Sequence, residues 1–319
     1  MLDNLISLRD ISKSFIQGDK RIRVLENLSV DINKGEFLID DKDSLWKGKS
    51  LYELYQEAYT PWEWHEPIMK HANELGMICF STPFDDTAVD YLEDLNVPAY
   101  KIASFENNHL PLIKKVASTG KPMIISTGMA SVSEMDEMVQ TIRDAGCNQF
   151  ILLKCTSTYP ATPENSNVLT IPHMRKLFNC EVGLSDHTFG LFVSQTALAI
   201  GANVIERHFT LSRTMEGPDH ILSSEPDEMA ALNEMAIRIP NILGDGIKRI
   251  QPNEYITLNS QRKCIYAAKD IEKGEVISKE NISIKGPGGG ILPKYIDIII
   301  GRKATKFIES DTPISWEKI

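Results

Sequence analysis

Between residues 77 and 210, short apolar runs recur at intervals that fit one strand, one helix and two loops. The runs are MICFST (77–82), AYKIAS (99–104), PMIIST (122–127), FILLKCT (150–156), EVGLSDH (181–187) and VIERHFT (204–210), with starts 22 to 31 residues apart. They are continuous rather than alternating, which suits strands buried on both faces of a parallel sheet. Each closes on hydroxyl, charged or imidazole residues. In a parallel barrel the C-terminal strand ends form the working face. The pattern predicts six consecutive βα units of a TIM-like (β/α) barrel, a fold that closes with eight.

The flanking segments read differently. Residues 260–319 alternate charged turns such as KDIEKGE (269–275) with short β-prone pieces and the run GPGGG (286–290), which predicts a small separate β-rich domain after a linker at 246–259. Residues 1–37 hold two strand-like segments around the polar turn QGDKR (17–21), with no helix-length stretch between them. A hairpin is expected there rather than a βαβ unit.

The 34 basic and 44 acidic residues leave a net charge of −10, which argues against nucleic-acid or membrane-surface partners but permits a local basic pocket. The five cysteines are odd in number and lack a C-x-x-C pair, so reduced thiols in a cytoplasmic protein are expected. The start MLDNLISLRD has no apolar signal core, and no run of 18 apolar residues occurs.

The ordered set YELYQEAYTPWEWH (52–65), STPFD (81–85), YKIASFE (100–106), ISTGM (125–129), KCTSTYP (154–160), GLSDHT (183–188), IERHFT (205–210) and GPD (217–219) resembles the N-acetylneuraminate (sialic acid) synthase family. The likeness covers about 38–319. It is strongest to the pseudaminic acid synthase branch, and the C-terminal domain resembles the family's SAF, or antifreeze-like, domain. Residues 1–37 resemble instead the start of an ABC-transporter ATPase domain. The sequence Gly48-Lys49-Ser50 follows, but Asp43 stands where the phosphate loop G-x-x-x-x-G-K-[ST] needs its first glycine, so nucleotide binding is not expected. The expected fold is therefore an α/β, TIM-like barrel lacking its first two βα units (38–245), followed by the linker and the SAF domain.

The resemblance implies condensation of phosphoenolpyruvate with an N-acetylated amino sugar, in a domain-swapped homodimer. On pattern alone, His187 and His208, at the ends of successive runs, fit a metal site or a pair of hydrogen-bonded rim histidines. The resemblance assigns them as ligands of a divalent metal, Mn²⁺ foremost, with Mg²⁺ or Co²⁺ as alternatives. It places Thr82, Lys101, Ser104, Ser126 and Ser185 around phosphoenolpyruvate. A lone strand-end serine fits a helix N-cap equally well, whereas a lysine inside a buried strand needs an anion. Glu106 matches the acid near the sugar and the attacking water, with a helix-capping or solvent-facing carboxylate as its plain alternative. Together with Lys101 it forms the expected catalytic pair. Asp219, Ser157 and Tyr159 fall in the sugar pocket, and Tyr159, preceding Pro160, is expected in a loop. Trp62, Trp64 and His65 fit either a sugar platform or packing in the core, and core packing is expected.

Three family features are missing. The first-strand glutamate and second-strand lysine have no counterpart, and Gly286 stands where the SAF domain carries an arginine that reaches the partner's site, with Lys285 the neighbouring substitute. The readings that stay open are a pseudaminic acid synthase using a 2,4-diacetamido-trideoxy hexose, an N-acetylneuraminate synthase using N-acetylmannosamine, and an inactive remnant.

Overall fold

The computed structural model describes residues 4–17, 20–33, 38–39, 47–50, 52–54, 59–217 and 219–319, with backbone only over the first two segments and at residue 259. The chain divides into two units, Met1–Gly244 and Asp245–Ile319. The predicted linker thus begins at the unit boundary, but its second half is helical, in Glu254–Gln261.

The antiparallel pair expected near the N-terminus is present. Strand β1 (Asn4–Gln17) pairs with β2 (Lys20–Asn33), with Gln17 opposite Lys20. The bulk of the first unit is a parallel sheet in chain order: β3 (Tyr100–Ile102), β4 (Met123–Ser126), β5 (Phe150–Cys155), β6 (Glu181–Asp186) and β7 (Ile205–Arg207). Single parallel bridges continue it on both sides, Ser81 with Tyr100 and Phe209 with Ser224. The apolar runs form strands because both faces are covered. Ile102, Met123, Ile125, Leu152 and Val182 are fully buried. Against them pack helices with apolar residues at three- and four-residue spacing, such as Met135, Met138, Val139 and Ile142 on Val132–Asp144.

One of the six predicted strands does not form. Of MICFST, only Ser81 pairs, and Met77 and Ile78 are largely exposed. A buried parallel strand needs partners on both sides and helices over both faces. This run has β3 on one side, and among the described residues no strand pairs with its other side. The result is a curled, open sheet of five strands.

Helix starts follow side-chain capping. Ser131 accepts from the Glu134 amide at 3.3 Å, and Glu134 accepts from the Ser131 amide at 2.7 Å, a reciprocal capping box before Val132–Asp144. Ser131→Ala is expected to cost about 1 kcal/mol of unfolding free energy, read as a shift in the urea midpoint at unchanged slope.

The second unit has its own core of Ile265, Ile271, Ile277, Ile291, Ile299, Ile308 and Ile314. Strand β8 (Cys264–Ala267) pairs antiparallel with β9 (Ile282–Lys285), and isolated bridges such as Ile271 with Ile308 complete the β-rich domain expected. Among the described residues, no helix is long and apolar enough to cross a membrane.

Candidate active site

The strand register sets the site. Lys101 lies beside Ile124 on β4, Ser185 beside Glu206, and Asp186 beside Arg207. At the C-terminal ends of these strands, the Lys101 ammonium donates to Ser126 Oγ at 2.8 Å and to the Ile102 carbonyl at 3.2 Å, and it pairs with Glu206 at 3.4 Å. Ser185 donates to Glu206 Oε1 at 2.7 Å. Three of the residues expected around phosphoenolpyruvate therefore converge on one carboxylate. Sequence reasoning missed Glu206, because within IERHFT it reads as an ordinary polar strand residue.

The next residues along β6 and β7 bring the histidines together. The rings of His187 and His208 lie 5.2 Å apart, and the Tyr159 ring sits 4.4 Å from the first and 5.9 Å from the second. Tyr159 stands in a loop, as expected. Nδ1 of His187 faces the Thr156 carbonyl at 3.3 Å. A carbonyl only accepts, so that nitrogen carries the proton, and in the neutral imidazole Nε2 keeps its lone pair. His208 Nδ1 lies 3.6 Å from Asp219 Oδ2, while Asp219 Oδ1 is buried without a hydrogen-bond partner. Burial lowers the His208 pKa against the pull of Asp219, and His187 lowers it further, which favours the neutral imidazole a cation requires. Among the described residues, no group of three or more His, Cys, Asp or Glu side chains is arranged to hold a metal ion, so the imidazole pair is the structure's contribution.

Glu106 closes the short turn Ser104–Glu106. Its Oε2 is buried without a partner, which disfavours a capping role. Burial pushes the carboxyl above its ordinary range, against its own backbone amide and the charge of Lys101. Ser104 accepts from the Gly128 amide at 3.1 Å, and Ser157 meets the Cys155 thiol at 3.5 Å. Gly128 of ISTGM is required by close approach, since a Cβ there would collide with Ser157 Oγ and come within 2.8 Å of Ser104 Oγ. Burial raises the Cys155 thiol, but hydrogen bonds from His187, Ser104 and Ser157 bring it down to about 7. Lys154, also missed from sequence, donates to Thr156 Oγ1 at 2.7 Å, and burial lowers its pKa.

Other expectations fare differently. Thr82 is half-buried one residue beyond the Ser81 bridge and joins neither cluster by a hydrogen bond. The tryptophans do not pack the core. Trp62 and Trp64 are about half exposed, Trp62 stacking on Tyr91 at 4.5 Å, because the helix His65–Glu74 that they precede has no buried residue. Lys285 is committed to Asp311 and lies over the Tyr266 ring. All five cysteines are free. A cavity of about 960 Å³ lies at the opposite strand ends, where Arg143 and Arg175 are engaged by backbone carbonyls of Phe178 and Val182.

Residues 23–248 match the family model described as the NeuB family, and residues 262–319 match the SAF domain. The chain belongs to the NeuB family. The NeuB match begins inside the segment that sequence reading set apart as 1–37. The pseudaminic acid synthase of Campylobacter jejuni (serotype O:2) is 39% identical over 89% of this chain and 82% of its own length. The N,N'-diacetyllegionaminic acid synthase of the same organism is 37% identical over 82% and 79%. The crystal structure of the N-acetylneuraminic acid synthetase of Leptospira borgpetersenii, a complex with citrate, superposes with a TM-score of 0.61 and 32% identity, covering 65% of this chain and 72% of that one. These NeuB relatives are sialic-type acid synthases, and the fold of the Leptospira synthetase agrees with the curled parallel sheet described above.

Proposed function

We propose that this chain is a nonulosonic (sialic-type) acid synthase that condenses phosphoenolpyruvate with an N-acetylated amino sugar. C3 of phosphoenolpyruvate bonds to the open-chain sugar's aldehyde carbon, water adds at C2, and the C2–oxygen bond to phosphate breaks. The supporting observation is the convergence of Lys101, Ser126 and Ser185 on one anionic position, beside the paired His187 and His208.

Lys101 and the serines hold the substrate anion by charge-assisted hydrogen bonds. His187 and His208 would hold a divalent cation, Mn²⁺ foremost. The open Nε2 of His187 and the unpaired Asp219 oxygen fit this role, and the cation would supply Lewis acidity at the aldehyde oxygen. Tyr159, Ser157 and Asp219 line the side from which the sugar enters, and Glu106 takes the proton of the attacking water. Its buried, unpaired oxygen is suited to a base that acts only once water is in place. Thr82, next to the Ser81 bridge to β3, is assigned to the same phosphoenolpyruvate set.

The preferred sugar is the 2,4-diacetamido-trideoxy hexose of the pseudaminic branch, supported by the motif YELYQEAYTPWEWH. N-acetylmannosamine is the competing substrate. The test is phosphate release from phosphoenolpyruvate with Mn²⁺ and each sugar in turn. Release that depends on one sugar names the substrate. Folded protein that releases none with any sugar overturns the proposal in favour of an inactive remnant.

Glu106→Gln is expected to lower kcat about 10²-fold. The working base is the carboxylate, so activity falls as pH drops through a pKa held above the ordinary carboxylate range. That acid limb should vanish from the variant's pH–rate profile.

A further inference from the structure

The donors proposed for the substrate's anion are engaged by a side chain of the chain itself. Glu206 Oε1 takes the Ser185 hydroxyl at 2.7 Å and stands 3.5 Å from Ser126 Oγ, while its other oxygen pairs with Lys101 at 3.4 Å. Ser185 and Glu206 are register partners on adjacent strands, so backbone pairing holds the contact in place.

Proton counting makes this arrangement consequential. A hydroxyl carries a single hydrogen, so Ser185 cannot donate to Glu206 and to a bound phosphate or carboxylate together. Lys101 donates two of its three hydrogens, to Ser126 Oγ and the Ile102 carbonyl, and its charge is paired with Glu206. A second anion among these donors would also stand against the Glu206 carboxylate, with like charges in contact. Lys101 is 12% exposed and Ser185 is buried, so both need a partner whenever substrate is elsewhere. The Glu206 side chain is 36% exposed and has solvent on one side to turn towards.

Building on the synthase reading above, we propose that Glu206 is a positioning residue that holds Lys101, Ser126 and Ser185 as an internal anion and yields them to phosphoenolpyruvate by displacement. The donors stay aimed inward between turnovers, at the cost of weaker apparent affinity. Glu206→Gln removes the competing charge while keeping the shape. Titration calorimetry with phosphoenolpyruvate should show binding about tenfold tighter than wild type, the factor for donors free about one-tenth of the time. Its thermal midpoint without substrate should fall, because Lys101 has lost its anion. Glu206→Asp, which withdraws the charge by one methylene, should fall between the two in affinity and guards against a glutamine variant that fails to fold. A merely structural Glu206 would weaken binding and stability together. Binding in both variants that is equal to or weaker than wild type overturns the displacement alone. Absence of binding in wild type and variants alike overturns the substrate assignment and the displacement with it.

Discussion

Lys101→Met should lower kcat/KM for phosphoenolpyruvate about 10³-fold, read from initial rates of sugar-dependent phosphate release. The ammonium is the one cation that the described residues place among Ser126, Ser185 and Glu206. Methionine keeps the stem that packs inside β3 but removes the charge. The effect should be larger than that of one lost hydrogen bond, because Glu206 then stands in the site unopposed, with Ser185 still donating to it. The substrate's negative charge is present before reaction as well as during it, so the loss should fall mainly on KM. Lys101→Met/Glu206→Gln should recover part of the loss, since its second change removes the repulsion exposed by the first, and the two effects would be non-additive. A change below about tenfold in the single variant would exclude Lys101 from the substrate contacts.

Why Lys101 could be singled out from sequence, and Glu206 could not, lies in what local patterns encode. A lysine inside an apolar strand run is anomalous by itself, because its burial demands an anion. A glutamate near a strand end is ordinary, and its significance appears only when β6 and β7 are set in register and Ser185 falls beside it. The same limit explains Gly128, whose need for a missing Cβ depends on Ser104 and Ser157 arriving from the segments that follow β3 and β5. The parallel sheet was legible because double-sided burial leaves continuous apolar runs. Its first member was misread because the run MICFST has the composition of a buried strand, whereas strand formation also needs a neighbour. The tryptophans misled for a similar reason. Large aromatic side chains usually pack inside, yet here they form a short turn just before a helix with no fully buried residue. The histidine pair was legible through its spacing at successive run ends. The supports that fix its geometry, the Thr156 carbonyl and Asp219, come from loops whose course the sequence does not reveal.

Asp186→Ala should cost about 3–5 kcal/mol of unfolding free energy, because it strands a buried guanidinium. The ion pair of Asp186 with Arg207 is almost wholly buried, at 1% and 2% side-chain exposure. Asp186 also accepts from the Thr188 amide at 2.9 Å and its hydroxyl at 2.7 Å, and Arg207 donates to Ser224 Oγ at 2.6 Å and to the Thr188 carbonyl at 2.7 Å. These bonds tie the ends of β6 and β7 together one residue before His187 and His208. The pair therefore sets the distance between the imidazoles as well as the stability of the sheet. A buried ion pair is weak evidence for stability on its own, since an apolar replacement of both partners can do as well. Its use here is positional. Asp186→Ala should accordingly weaken Mn²⁺ binding about 10- to 100-fold, the range typical of groups that orient metal ligands, measured by calorimetry well below the variant's unfolding midpoint. Asp186→Asn, which keeps the acceptor oxygen and the shape, should lose less of both. Loss of stability with unchanged Mn²⁺ affinity would show that the ion pair holds the sheet together without placing the histidines.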